Sequence, residues 1–172
     1  MDRPATLTPP VDHYAVVASP VGDLVLTGRA DSSVSGCWFT GPNRSADPTG
    51  GLRRDDDALA DAAVQLGEYF ASTRRAFELD LSPSGTPFQL RVWERLRAIP
   101  YGETRSYGEV AAELDQPGAS RAVGLANGRN PISIIVACHR VIGADGSLTG
   151  YGGGMDAKRF LLDLEAGTPE LL

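Results

Sequence analysis

An α+β fold in two lobes follows from three features of the sequence. Short apolar runs that alternate or cluster like strands occupy residues 13–39. An amphipathic helix pattern and one further alternating run follow. After a Ser-Pro-Ser-Gly-Thr-Pro stretch the periodicity turns almost wholly helical. That composition break predicts an N-terminal α/β lobe over residues 1–82, with a three-stranded sheet and a helix. A mostly helical C-terminal lobe over residues 83–172 completes the chain.

Residues 1–10 read as a disordered leader without the basic start and apolar core of a signal peptide, which points to the cytosol. His13-Tyr-Ala-Val-Val-Ala-Ser19 and Leu24-Val-Leu-Thr27 read as strands joined by the turn Pro20-Val-Gly-Asp23, and Ser35-Gly-Cys-Trp-Phe39 as a third. Residues 41–57 have loop composition. Asp55-Asp-Asp57 falls at a helix start, where carboxylates face the positive end of the dipole; that reading outweighs a metal cluster. Ala58 to Ala71 carries Leu59, Ala62, Leu66, Tyr69 and Phe70 on or near one helical face. Phe77-Glu-Leu-Asp-Leu81 alternates like a strand.

In the second lobe, a helix from Phe88 to Ala98 buries Phe88, Val92, Trp93 and Leu96 and stops at Pro100-Tyr-Gly102. Ser106 and Glu109 form a capping box for a helix to Leu114. Pro117-Gly-Ala-Ser120 opens another helix, to about Asn127. Two short helices about a tight turn make a helix-turn-helix, and the second carries one prominent basic residue, Arg121, among the small Ala119, Ser120 and Ala122. Ile132 to Val136 reads as a short buried strand leading into Cys138, His139 and Arg140. A thiol with its ordinary pKa of roughly 8.5 is mostly protonated at neutral pH. An adjacent imidazole supplies a base and a guanidinium supplies positive potential.

Composition bounds the function. The chain of 172 residues is 42% hydrophobic and 22% charged, with no apolar run long enough to span a membrane. Its net charge of −6 is uneven: residues 1–85 carry 7 basic and 12 acidic side chains, and residues 86–172 carry 9 and 10. Contact with nucleic acid must then rest on a local patch and be salt-sensitive. The two cysteines, Cys37 and Cys138, are expected to be reduced in that compartment.

Several motifs carry a resemblance. Pro100-Tyr-Gly-Glu-Thr-Arg-Ser-Tyr-Gly-Glu109, Ala119 to Asn127, Asn130-Pro131, Cys138-His-Arg-Val-Ile142, Gly146 to Tyr151 and Lys158 to Glu165 resemble the O6-alkylguanine-DNA alkyltransferases. The likeness is strong over residues 86 to 166 and weak before them, with Ala137 where that family usually has proline. The resemblance implies a ribonuclease H-like N-terminal lobe and single-turnover repair of alkylated DNA. A monomer would bind double-stranded DNA from the minor groove, with no cofactor and no metal; His13 and Cys37 are too few for a zinc site.

It also implies roles. Arg121 fills the stack left by the flipped nucleotide, and Tyr107 steers that nucleotide and acts as acid. Ala119, Ser120 and Ala122 allow close approach to the duplex. Cys138 is the alkyl acceptor, His139 its base and Glu165 the group that orients the imidazole, while Asn130 ties the preceding turn to that network. Ala137, Val141, Tyr151, Gly152 and Gly153 line the guanine pocket. The alternatives are a non-enzymatic alkylated-base-binding protein, a helix-turn-helix transcription regulator, and a cysteine hydrolase. The presence of Cys138, the lone arginine and the lack of an oxyanion-hole motif argue against these in turn.

Overall fold

The computed structural model describes residues 9–41 and 47–167. The leader up to Thr8 and residues 42–46 of the expected loop lie outside the described residues. The three expected strands form as β1 (Val11–Val17), β2 (Leu24–Arg29) and β3 (Val34–Phe39), paired antiparallel with β2 in the middle and buried along its length. The turn between β1 and β2 closes through Gly22 N–H to Ser19 O at 3.1 Å, with Gly22 at φ 95°. That left-handed conformation is costly for any residue with a Cβ.

The sheet has four strands rather than three. β4 (Arg53–Arg54) lies parallel to β1 opposite His13 and Tyr14, giving the order β3-β2-β1-β4. Two exposed arginines in a loop-like stretch carry no strand pattern, so composition hid them. The Asp55 N–H extends the pairing to Tyr14 O at 2.8 Å. The acidic run is consumed locally: Asp55 pairs with Arg53 at 3.2 Å, Asp56 with Arg54 at 3.1 Å, and Asp55 also accepts from the Ala58 N–H. Helix α1 (Ala60–Phe70) follows.

Phe77–Leu81 is not a strand. The Gln65 side chain takes both backbone groups of Glu78, at 2.9 and 3.1 Å, and Arg97 donates to Leu79 O. Only Leu81 bridges to β3, at Val34. Ile132–Val136 is not a strand either. Cys37 holds its first residues, through Cys37 N–H to Pro131 O (2.9 Å) and Ser133 N–H to Cys37 O (3.1 Å). The chain then turns sharply, with Ile134 at φ 71° and Ile135 N–H bonded to Ser133 O. A β-branched residue at positive φ is strained by about 1–3 kcal/mol and persists only where its surroundings dictate it. The free edge of β3 is thus shared between two segments, and neither has room for a full ladder.

The C-terminal half follows its local signals. Helix α2 (Pro87–Arg97) opens on a Thr86–Gln89 capping box with proline at its start, burying Val92, Trp93 and Leu96 and leaving Phe88 half-buried. The short strand β5 (Arg105–Ser106) precedes helix α3 (Tyr107–Glu113), which is capped by the Ser106–Glu109 box. Helix α4 (Ser120–Gly128) packs with α3 against α2. A one-turn 3-10 helix, Cys138–Arg140, runs into β6 (Val141–Ile142), which pairs parallel with β5. Helix α5 (Met155–Ala166) ends at Gly167 in the left-handed conformation. One hydrophobic cluster takes in Leu26, Cys37 and Tyr69 from the first half of the chain and Trp93, Ile132 and Leu161 from the second. Among the described residues no helix is long and apolar enough to cross a membrane.

Trp93 ties α2 to α4 through an indole N–H bond to Ala126 O at 2.8 Å. Trp93→Phe removes that bond and leaves Ala126 O with the Arg129 N–H at 3.2 Å, so it should cost about 0.5–1.5 kcal/mol, read as a lower urea midpoint with unchanged slope.

Candidate active site

Cys138 is only 4% exposed and opens the 3-10 helix. Its N–H bonds to Val136 O at 2.8 Å across Ala137, which takes φ −79° and ψ 59°. That φ lies within proline's range, so alanine follows a path that proline also allows. Asn130 closes the loop beneath the thiol: its Oδ1 accepts from Ile132 N–H at 3.0 Å and its Nδ2 donates to Val136 O at 2.9 Å. Asn127, at the end of α4, reaches the Cys138 carbonyl at 3.5 Å.

His139 is fully buried, with Nε2 2.7 Å from Glu165 Oε1 and Nδ1 without a hydrogen-bond partner. Placing the proton on Nε2, facing the carboxylate, leaves Nδ1 as the basic nitrogen. Glu165 also accepts from Arg140 Nε and Nη2, both at 2.8 Å, from the Tyr69 phenol at 2.7 Å and from Gly102 N–H at 3.4 Å. Burial works to raise its pKa, but the bonds from His139 and Arg140 outweigh it and hold the carboxyl at about 2. Burial lowers His139 despite the pull of Glu165, so the imidazole is neutral at neutral pH. Burial pushes the Cys138 thiol up, opposed by Asn130 and by the Lys158 charge. The resting pair is therefore thiol and neutral base, not a preformed ion pair.

Arg140 does not act on the sulfur as its place in the sequence suggested. Its guanidinium is committed to Glu165 and to Ile99 O, at 2.6 Å. The cation felt by the thiol is Lys158, fully buried on α5, whose Nζ donates to Val141 O at 2.7 Å and Thr149 O at 3.3 Å. Sequence reading assigned no role to Lys158 or Tyr69. A lysine three residues before Leu161 on an otherwise apolar face was a legible signal; a tyrosine on the apolar face of α1 was not.

The remaining expected residues fall into two groups. Tyr107 is half-buried, hydrogen-bonded to Thr149 Oγ1, with its ring 3.7 Å from where a Cβ on Gly124 would sit. It therefore stands between α4 and the loop 143–154. Tyr151 feels the Cys138 charge, Gly153 rests against the Phe39 ring, the Val141 carbonyl accepts from Lys158, and Gly152 is exposed. Along α4, Arg121 and Ala122 are exposed, Ala119 and Ser120 are half-buried, and Leu125 is 69% exposed one turn beyond Arg121. Arg121 has no carboxylate partner among the described residues. A cavity of about 470 Å³ lined by Ser32, Val34, Leu59, Asp61, Glu78 and Arg97 lies apart from these groups. Among the described residues no three His, Cys, Asp or Glu side chains gather as a metal-binding group.

Comparison with known proteins agrees with this geometry. Residues 87–167 match the family model of the 6-O-methylguanine DNA methyltransferase DNA-binding domain. A methylated-DNA–protein-cysteine methyltransferase of Mycolicibacterium paratuberculosis is 52% identical over 153 residues, 89% of this chain and 92% of that protein. One from Methanosarcina acetivorans is 48% identical over 89% of this chain and 97% of its own. The crystal structure of Mycobacterium tuberculosis O6-methylguanine methyltransferase, 48% identical, superposes with a TM-score of 0.83 over 93% of this chain and 96% of that one. The same organism's OGT in complex with DNA, 49% identical, gives 0.83 over 91% and 94%. At such identity over nearly the whole of both chains, this protein belongs to the methylated-DNA–protein-cysteine methyltransferase family.

Proposed function

We propose that Cys138 accepts the alkyl group of O6-alkylguanine in DNA, once per molecule, and so repairs the base by direct reversal. The buried His139–Glu165 pair beside the thiol is the observation that carries this reading. A thiol held protonated by burial needs a base at the moment of attack, and a neutral imidazole with a bare Nδ1 is one. The proton passes from sulfur to His139 through a water. The sulfur–carbon bond forms as the carbon–O6 bond breaks, and the guanine leaves as an anion that takes a proton from the Tyr107 phenol. Asn130 keeps the loop in place, and Glu165 fixes the tautomer of His139. Val141, Tyr151, Gly152, Gly153 and Ala137 form the pocket. The thioether product is inert to these groups, so the protein is consumed.

DNA is met through α3 and α4 as a helix-turn-helix, from the minor groove, by one monomer. Arg121 enters the stack, and Ala119, Ser120 and Ala122 permit close approach. The exposure of Arg121 without an acidic partner supports this. Three antiparallel strands with β4 parallel to β1 fit a ribonuclease H-like first lobe, divided from the second at residues 82 and 83. A cytoplasmic place accords with this work.

The direct test is incubation with a duplex holding one O6-methylguanine, then peptide mass mapping. One methyl group per protein, on the Cys138 peptide, is expected, and Cys138→Ser should bind the duplex without transfer. Repeated turnover or alkylated Cys37 would overturn the reading. Arg121→Ala should slow repair in duplex at least tenfold while leaving transfer from the free alkylated base within about threefold, because only the duplex must surrender a stacked base at a cost of a few kcal/mol. Equal losses would give Arg121 a role in the fold instead.

Acid should unfold the protein in two stages. His139 has a folded pKa below its ordinary 6.5, so its contribution is complete above that pH and declines as pH falls below it, when only the unfolded chain takes up the proton. Glu165 is held at about 2 against 4.5, so its contribution is present above pH 4.5 and is lost as pH falls toward 2. Thermal melts from pH 8 to 3 should show both declines, and His139→Gln should remove the upper one.

A further inference from the structure

Strand β3 meets the candidate site twice. Its backbone at Cys37 holds Pro131 and Ser133, on the approach to Cys138. Two residues on, Phe39 lies on the same side of the strand. Its ring meets Tyr151 edge to face, with centroids 5.5 Å apart and planes at 73°. Gly153 rests on the same ring: a Cβ built there would sit 2.7 Å from Phe39 Cε2 and Cζ, well inside contact distance. Phe39 is 7% exposed and packed in the core cluster, so it has little freedom to yield. Tyr151 in turn feels the thiol, since burial first and the Cys138 charge second hold its phenol well above the ordinary value. A chain of contact thus runs from the N-terminal sheet through one aromatic ring to the nucleophile.

We propose that Phe39 is a positioning residue that sets the size of the alkyl pocket, because its ring is the backstop on which residues 151 and 153 rest. This rests on the alkyl-transfer reading above. With the ring in place, Tyr151 cannot retreat from the sulfur and the pocket stays small. Truncating it opens space behind Tyr151, so that bulky O6 substituents gain room while a methyl group loses its alignment with the thiol.

The test uses the full chain with Phe39→Ala, Phe39→Leu, Gly153→Ala and the Phe39→Ala/Gly153→Ala pair. Transfer rates are measured for O6-methylguanine and O6-benzylguanine in the same duplex, with hydrogen exchange over residues 149–153. Phe39→Ala should slow methyl transfer up to about tenfold, the scale of one lost aromatic contact, and raise the benzyl-to-methyl ratio, with Phe39→Leu between it and the native protein. Exchange in the loop should quicken while that of α2 and α4 stays unchanged. Gly153→Ala should be harmful alone and much less so with Phe39→Ala, since the ring it collides with is then gone. An unchanged ratio, or Gly153→Ala equally harmful in both backgrounds, would overturn the proposal. If the native protein transferred no alkyl group, the function reading would fall, and loop exchange with the Gly153 pair would still decide whether Phe39 braces the loop.

Discussion

The Glu165 carboxylate is the charge around which the site is assembled. A buried anion costs several kcal/mol unless its lone pairs are filled, and here donors arrive from three places: α1 through Tyr69, the 3-10 helix through His139 and Arg140, and the Pro100–Gly102 turn through Gly102. The fork of Arg140 makes two of these bonds, and its charge matches that of the carboxylate. That leaves His139 facing a pair that is already neutral. Burial and the Arg140 charge both disfavour a proton on the imidazole, against the pull of Glu165. Burial first, with the Arg140 charge behind it, keeps His139 neutral while Glu165 orients it, and the low carboxyl pKa reflects the bonds from His139 and Arg140. Removing any one donor leaves the others bonded to a buried charge, so the network fails together.

How much of this the sequence made legible depends on the range of each interaction. Capping boxes are decided within four residues: the one read at Ser106–Glu109 formed, and a second at Thr86–Gln89 went unread inside a stretch of linker composition. Strands need a partner as well as a pattern. Phe77–Leu81 alternates correctly, yet Gln65 and Arg97 occupy its backbone; Ile132–Val136 is apolar and β-branched, yet only its first residues find an edge. Arg53–Arg54 has no pattern and pairs because β1 offers a free side. In the site, the contiguous Cys138, His139 and Arg140 were readable, but adjacency misassigned Arg140. Side chains that leave neighbouring backbone positions diverge, and Arg140 turned toward Glu165. Tyr69 could not be read: its partner is 96 residues away, and a tyrosine on an apolar helix face looks like any other core residue.

Two distant parts of the chain therefore divide the work on the reactive segment. Asn130 clamps it from within, filling the backbone groups of Ile132 and Val136, while β3 fixes its first residues from outside through Cys37. Together these dictate the strained Ile134 and the tight turn at Ala137. Alanine at 137 therefore needs no ring to hold that path. A proline ring would preset φ near −65°, and the clamp imposes −79° without one.

Charge follows the same economy. A protein of net charge −6 meets a polyanion, so long-range attraction is weak and contact must be local. The cations that matter are few and placed by depth. Arg140 and Lys158 are buried and engaged in the active site, one neutralising Glu165 and the other favouring negative charge on the sulfur. Arg121 stands at the surface of α4 with small neighbours, where its guanidinium is available to the duplex. Moving charge from the surface to the interior in this way sacrifices nonspecific affinity for DNA and strengthens each cation where water is excluded, since the same charge acts several-fold more strongly at a dielectric near 20 than in water. An acidic exterior is then compatible with chemistry on DNA, because the site carries the fields it needs within itself.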